Sequence, residues 1–171
     1  MRRIDCAVIA TTADKRAEAE AFWRFSLRVY ARPGVAAALL GLQDRAGHNV
    51  NLVLYGLWLA IGRGVRLDRG ELTRARAAIA KIDRDVLLPL RNLRRALKGD
   101  ADPDIQALRR RVLALEVAAE RRVQARLATG SVNRKAKGNR AVFVAANLKL
   151  ILGGDFAAPE AAVLRQAIAD L

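Results

Sequence analysis

The stretch Gln43-Asp44-Arg45-Ala46-Gly47-His48-Asn49-Val50-Asn51 brings together a carboxylate, a guanidinium, three side-chain amides and the chain's sole histidine. It interrupts a run from Phe22 to Ile61 that is otherwise dominated by aromatic and aliphatic residues. Together these side chains offer donors and acceptors of every kind, and a few polar groups against an aromatic wall are the usual make-up of a ligand pocket. Asp44, Arg45, His48 and Asn51, with Tyr55 and Trp58 as the wall, are therefore a candidate small-molecule site, whether for binding or for catalysis. Helix capping explains the same residue types. Asp44 and Arg45 can end one helix, His48 or Asn49 can cap the next, and Asn51 can satisfy backbone groups in its first turn. Both readings are open from the sequence.

Searches for a complete catalytic set fail. One histidine cannot supply the paired Glu-x-x-His motifs of a di-iron bundle, and no serine sits in a nucleophile-elbow glycine pattern. The glycines between Gly130 and Gly138 are not a phosphate-cradling loop, because no strand precedes them and the Gly-Lys-Ser/Thr ending is absent. Asp83 and Asp85 would point roughly 160° apart around a helix and cannot share a magnesium ion. Glu116 and Glu120 share a face, where they are expected to form surface pairs with Arg109, Arg121 or Arg126. No catalytic residue, metal ligand or cofactor is assigned, and the chain leans away from being an enzyme.

Charge points to a different class of function. The formal net charge is +14, and 21 of the 31 basic residues lie between positions 61 and 140 against 9 of the 17 acidic ones, so the excess is concentrated in the middle of the chain. Arg84, Arg91, Arg95 and Lys98 fall on one helical stripe, and Arg134, Lys135 and Lys137 follow in a loop. Such a surface would favour an acidic protein partner or nucleic acid. With aromatics at 5%, base stacking has little to work with. The competing interpretation is a solvated face in which abundant Arg and Ala reflect a GC-rich genome.

The elements that must position these residues are helical. Ala, Leu and Arg are plentiful and there are only 4 prolines, a composition that favours helices over a sheet or a disordered chain. The pattern predicts a first helix over 13–32 and a break at Pro33-Gly34. A second helix follows to about residue 45, ended by a left-handed Gly47, then a third to about residue 62 that is apolar on almost every side. Asp68 caps a long fourth helix reaching residue 98, with Leu72, Ile79, Val86 and Leu93 recurring every seven residues, Ala75 and Ile82 alternating, and Pro89 kinking it. The fifth, from Pro103 to about residue 127, carries Ile105, Leu108, Val112, Leu115 and Ala119 on a matching seam and should fold back antiparallel. A basic loop over 128–139, a sixth helix to about residue 152 and a last one from about residue 159 complete an all-α, single-domain bundle of about six to seven helices around a central antiparallel hairpin. Residues 1–12 read as a loose segment and 13–171 as the domain.

The single cysteine excludes an intramolecular disulfide, and Asp5 breaks what would otherwise faintly resemble a secretory leader. The apolar run from Leu52 to Ile61 is far short of a bilayer span. A cytoplasmic protein without a transmembrane segment is expected; the sequence sets no oligomeric state.

Phe22-Trp23-Arg24-Phe25-Ser26-Leu27, Val29-Tyr30, Pro33-Gly34-Val35, Leu42-Gln43-Asp44, Gly47, Val50-Asn51-Leu52 and Trp58-Leu59 together resemble the signature of a small proteobacterial family of conserved hypothetical proteins. The likeness continues more weakly through Pro89-Leu90-Arg91 and makes 20–127 the family-like core. It implies a helical bacterial cytoplasmic protein and carries no activity with it. Three functional expectations follow. The first is a non-enzymatic interaction module that docks an acidic partner through the basic hairpin or the Trp23/Trp58 region. The second is a small-molecule site at 43–51, and the third is sequence-tolerant nucleic-acid binding.

Overall fold

Helix α1 (Thr12–Tyr30) starts at a capping box, in which Asp14 N–H donates to Thr11 Oγ1 at 3.1 Å and Thr11 N–H donates to Asp14 Oδ2 at 2.9 Å. The computed structural model describes residues 11–130 and 138–169. The expectation of a loose segment before residue 13 therefore falls almost wholly outside the described residues, as do Arg134, Lys135 and Lys137 of the basic loop. After the turn at Pro33, α2 (Val35–Ala46) ends on Gly47 at φ 69°, the left-handed conformation expected for it. Helix α3 (Val50–Trp58) is capped by the Asn49 side chain, whose oxygen accepts from Asn51 N–H at 3.0 Å and Leu52 N–H at 3.3 Å.

Every residue of α3 is buried, so this helix is the axis of the bundle. Helices α1, α6 (Pro103–Thr129) and α7 (Arg140–Leu152) pack around it, and α8 (Pro159–Ala167) closes over α2. Phe22 stacks on Trp58 with ring centroids 4.9 Å apart and tilts against Tyr55 at 5.9 Å, which joins α1 to the axis. The third helix ends in a π-helical turn over Leu59–Arg63, and Gly64 at φ 64° reverses the chain.

The long central rod differs from its expected form in register. It consists of α4 (Arg69–Ile82), a π-helical turn over Asp83–Leu87, and α5 (Leu88–Ala96), continuous with one another. Pro89 has no N–H to give to residue 85 and its ring crowds that carbonyl. The wider turn just before it takes up the mismatch, with Leu88 N–H bonding Asp83 O five residues back. One extra residue in a turn rotates everything beyond it by about 100°. The buried seam is accordingly Leu72, Ala75, Ile79, then Leu87 and Arg91, while Val86 and Leu93, expected inside, are 39% and 45% exposed. On α6, Val112 and Ala119 are buried as expected, but Glu116, Val123 and Leu127 complete the seam and Leu108 and Leu115 face outward.

The rod and α6 form the expected antiparallel hairpin. Gln106 Nε2 donates to Leu97 O at 3.2 Å, Arg91 meets Glu120, and Arg126 Nη1 reaches Ala78 O at 3.5 Å, a pairing that descends along one helix as it ascends the other. Counting the rod once, the described residues form seven helical rods without a strand, a single all-α domain. Among the described residues no helix is long and apolar enough to cross a membrane.

The register shift predicts that Leu87→Ala lowers unfolding free energy by about 2–5 kcal/mol through cavity formation. Val86→Ala and Leu93→Ala should stay within about 1 kcal/mol. Urea denaturation of the three variants checks this; a large loss at Val86 with none at Leu87 would return the rod to an uninterrupted heptad.

Candidate anion-binding groove

The polar residues at 43–51 do not converge on one site. Asp44 pairs with Arg95 on α5, Arg45 pairs with Glu160 on α8, and His48 Nε2 lies 2.8 Å from Asp155 Oδ2. Asn49, besides capping α3, donates to Asp83 Oδ1 at 2.9 Å. Asn51 turns inward, where its oxygen accepts from Gln124 at 3.0 Å and Gln124 accepts from Ser26 at 2.9 Å, a buried polar row linking α3, α6 and α1. It was expected to serve backbone groups; burial of Gln124 opposite gives it a side-chain partner instead. Tyr55 and Trp58 belong to the core. Burial, and next Glu71, push the Tyr55 hydroxyl up to about 12, so it stays a neutral phenol at physiological pH. Tyr55 lines a separate recess of about 240 Å³ with Glu71, Arg74 and Arg126. The capping reading thus accounts for Asn49, ion pairs account for Asp44 and Arg45, and the contact with Asp155 engages His48.

The expected basic stripe is also divided. Arg84 pairs with its neighbour Asp85 and Arg95 pairs with Asp44, while Lys98 is exposed. The π turn rotates Arg91 into the hairpin interface, where Nη2 lies 2.9 Å from Glu120 and Nε 3.4 Å from Glu116. Arg94 Nη2 reaches Glu116 at 3.2 Å, and Asp83 stands 3.9 Å from Arg91. Glu116 and Glu120 are therefore not surface partners of Arg109, Arg121 or Arg126; Arg121 pairs with Glu20 instead. Burial, the largest influence on Glu120, raises its carboxyl above the ordinary range against the lowering effect of Arg91. Burial and then Glu120 raise the neighbouring Tyr30 hydroxyl.

A site that the sequence reading did not single out lies on the other side of the rod. Between α4 and α7 runs an open groove of about 670 Å³, rimmed by Arg66, Arg69, Arg76 and Lys149 over Leu72 and Leu150. No carboxylate lines it. Asp68, in the adjoining recess, accepts from Glu71 N–H at 2.8 Å in the capping box of α4. Arg69, Arg76 and Lys149 form no ion pair among the described residues. Converging cations with an apolar floor concentrate anions from solution. The spacing of Arg69, Thr73 and Arg76 on one helix face is visible in the sequence; the approach of Lys149 from α7 is not.

Asn147 holds this groove in shape. Completely buried on α7, it donates from Nδ2 to Gly56 O at 2.9 Å and Val65 O at 3.1 Å, and accepts at Oδ1 from Leu67 N–H at 2.8 Å. Two carbonyls and one amide hydrogen fix which way the amide points. The connector between α3 and α4 is thereby tied to α7, which sets Arg66 and Arg69 opposite Lys149.

A family model described as a protein of unknown function (DUF2390) matches residues 21–127. The chain belongs to this family. The matched segment holds the second half of α1, α2 to α5 and nearly all of α6, so the α4 wall of the groove lies within the family region and the α7 wall beyond it. No curated protein and no solved structure matches the chain.

Two outcomes follow from this geometry. Asn147→Ala should cost at least about 2 kcal/mol in urea denaturation, because it leaves buried backbone groups without partners; an unchanged midpoint would mean that the connector is held by other contacts. Glu120, with its carboxyl raised above the ordinary 4.5, binds its proton more tightly folded than unfolded. Its contribution to stability is therefore full below pH 4.5 and is lost as pH rises through the folded-state value. Stability curves of wild type and Glu120→Gln should diverge upward from pH 4.5, with the variant keeping stability that the wild type loses. Parallel curves across that interval would show that Arg91 fully offsets the burial.

Proposed function

We propose that this protein is a non-enzymatic helical interaction module that docks an acidic partner in the groove between α4 and α7. The observation carrying this reading is the convergence of Arg69, Arg76 and Lys149, unpaired among the described residues, beside Arg66 over an apolar floor. The π turn and α5 offer less: Arg84, Arg91, Arg94 and Arg95 are each engaged by a carboxylate. The tryptophans offer less as well, since Trp58 is buried and Arg121 lies over the Trp23 ring at 5.7 Å. A net charge of +14 supports fast association with an acidic partner. The bacterial cytoplasm is the compartment this reading assigns, on the single cysteine and the resemblance of the first half of the chain.

A small-molecule reading has its own supporting observation, a recess of about 400 Å³ bordered by His48, Asn49 and Asp83. It lacks a convergent set of catalytic groups. Nucleic-acid binding shares the groove's cations but finds no aromatic side chain in the groove lining.

The test is a fluorescence-anisotropy titration of labelled polyglutamate at two salt concentrations. Wild type should bind in a salt-sensitive manner. Arg69→Glu combined with Arg76→Glu should weaken binding at low salt by at least about ten-fold, about 1.4 kcal/mol. Arg84→Glu combined with Arg95→Glu should change it by no more than about three-fold, within roughly 0.7 kcal/mol. Equal binding by wild type and the groove variant overturns the proposal.

A further inference from the structure

The basic groove does not end at Arg76. That side chain also lines the recess carrying His48, Asn49 and Asp83, so the two depressions adjoin along α4 with Arg76 between them. Arg69, Thr73, Arg76, Ala80 and Asp83 recur at alternating steps of four and three and lie on one helix face. The charge changes sign along that face. Arg66, Arg69 and Lys149 stand at one end and Arg76 in the middle. At the other end are Asp83, which accepts from Asn49 at 2.9 Å and stands 3.9 Å from Arg91, and, through its 2.8 Å contact with His48, the half-exposed Asp155. Beneath the charges the floor is apolar throughout, from Leu72 and Leu150 to Leu52, Ile79 and Ile151.

Resting on the acidic-partner reading, we infer that the occupant is an extended peptide segment of the partner, acidic over most of its length and carrying a Lys or Arg where it reaches His48 and Asp155. The dimensions fit. The 14 residues of α4 rise about 20 Å, at ~1.5 Å each. An extended chain covers that length in about six residues at ~3.3 Å each. An apolar side chain among the acidic ones would have the Leu72 and Ile79 floor to cover. A nucleic-acid strand fits less well, because its uniform negative charge would meet two carboxylates at the far end and neither depression has an aromatic side chain for stacking.

The experiment uses the full chain and three labelled probes: a seven-residue peptide of glutamates around a central leucine, the same peptide with lysine replacing the glutamate at one end, and a dT oligonucleotide of similar length. The lysine peptide is made in both orientations, since either chain direction places its acidic part at Arg69. In anisotropy titrations at low salt the tighter lysine peptide should exceed the all-glutamate peptide by at least about five-fold, despite its smaller net charge. Asp155→Lys, a change at an exposed carboxylate, should reverse that preference.

Four outcomes are decisive. Preference for the lysine peptide that reverses in Asp155→Lys supports the inference. Loss of all peptide binding in Arg69→Glu/Arg76→Glu, with no preference between peptides in wild type or Asp155→Lys, overturns the inference and leaves the groove reading in place. Unchanged binding in the double variant overturns both. Oligonucleotide binding as tight as the lysine peptide, and lost in the double variant, identifies the occupant as nucleic acid and overturns the peptide.

Discussion

A single buried amide, Asn147, is the joint between the bundle's axis and its candidate binding surface. It is completely enclosed and makes three hydrogen bonds, to Gly56 O, Val65 O and Leu67 N–H. The chain leaving α3 reverses through a π turn and a left-handed glycine, a path that exposes backbone groups which regular helix would have paired. Supplying those partners from α7 lets an irregular connector sit inside the core, where unpaired polar groups are costly. The approach is close at Gly56 as well: a Cβ there would collide with Ile151 on the same helix. Close packing of α3 on α7 and the amide clamp are thus one arrangement, and the groove is its outer surface.

The second constraint acts on the far side of the rod. A proline within a helix removes a backbone donor, and here the turn before Pro89 widens by one residue while helix resumes directly beyond it. The consequence is a change in which side chains face α6. Arg91 enters the interface and Glu116 and Glu120 face it. Each charge is paired with an opposite one, as low exposure demands, although Arg91 Nε has no hydrogen-bond partner. Leu88 and Leu93 are left half-exposed. The cations of the π turn and α5 are thus largely neutralised by carboxylates, while unpaired cations of α4 meet one from α7 at the groove.

Fold class, the helix breaks at Pro33-Gly34 and Gly47, the Asp68 cap, a cap at His48 or Asn49 and the antiparallel hairpin were legible in the sequence. Each follows from local chemistry: a missing donor, a positive φ, a side-chain acceptor at a helix start. The seam beyond Ile79 was not legible, because a seven-residue repeat of Leu72, Ile79, Val86 and Leu93 continues unbroken on paper through a turn that slips by one residue in space. The polar residues at 43–51 were recognisable as a cluster, but neighbours in sequence there point to α5, α8, the core and Asp155 in turn. A helix start fans successive side chains around its axis, so sequence proximity does not become a common site.

What the sequence by itself determined was the helical architecture and an excess of positive charge, since both depend on composition and on residues within a turn or two of one another. What only the tertiary structure decided was which cations remain unpaired and where they meet. Arg69 and Lys149 are far apart in the chain and share a groove because Asn147 ties the α3–α4 connector to α7. Charge on a helix face becomes a surface or an interface according to what packs against it, and that depends on long-range contacts, which periodicity does not encode.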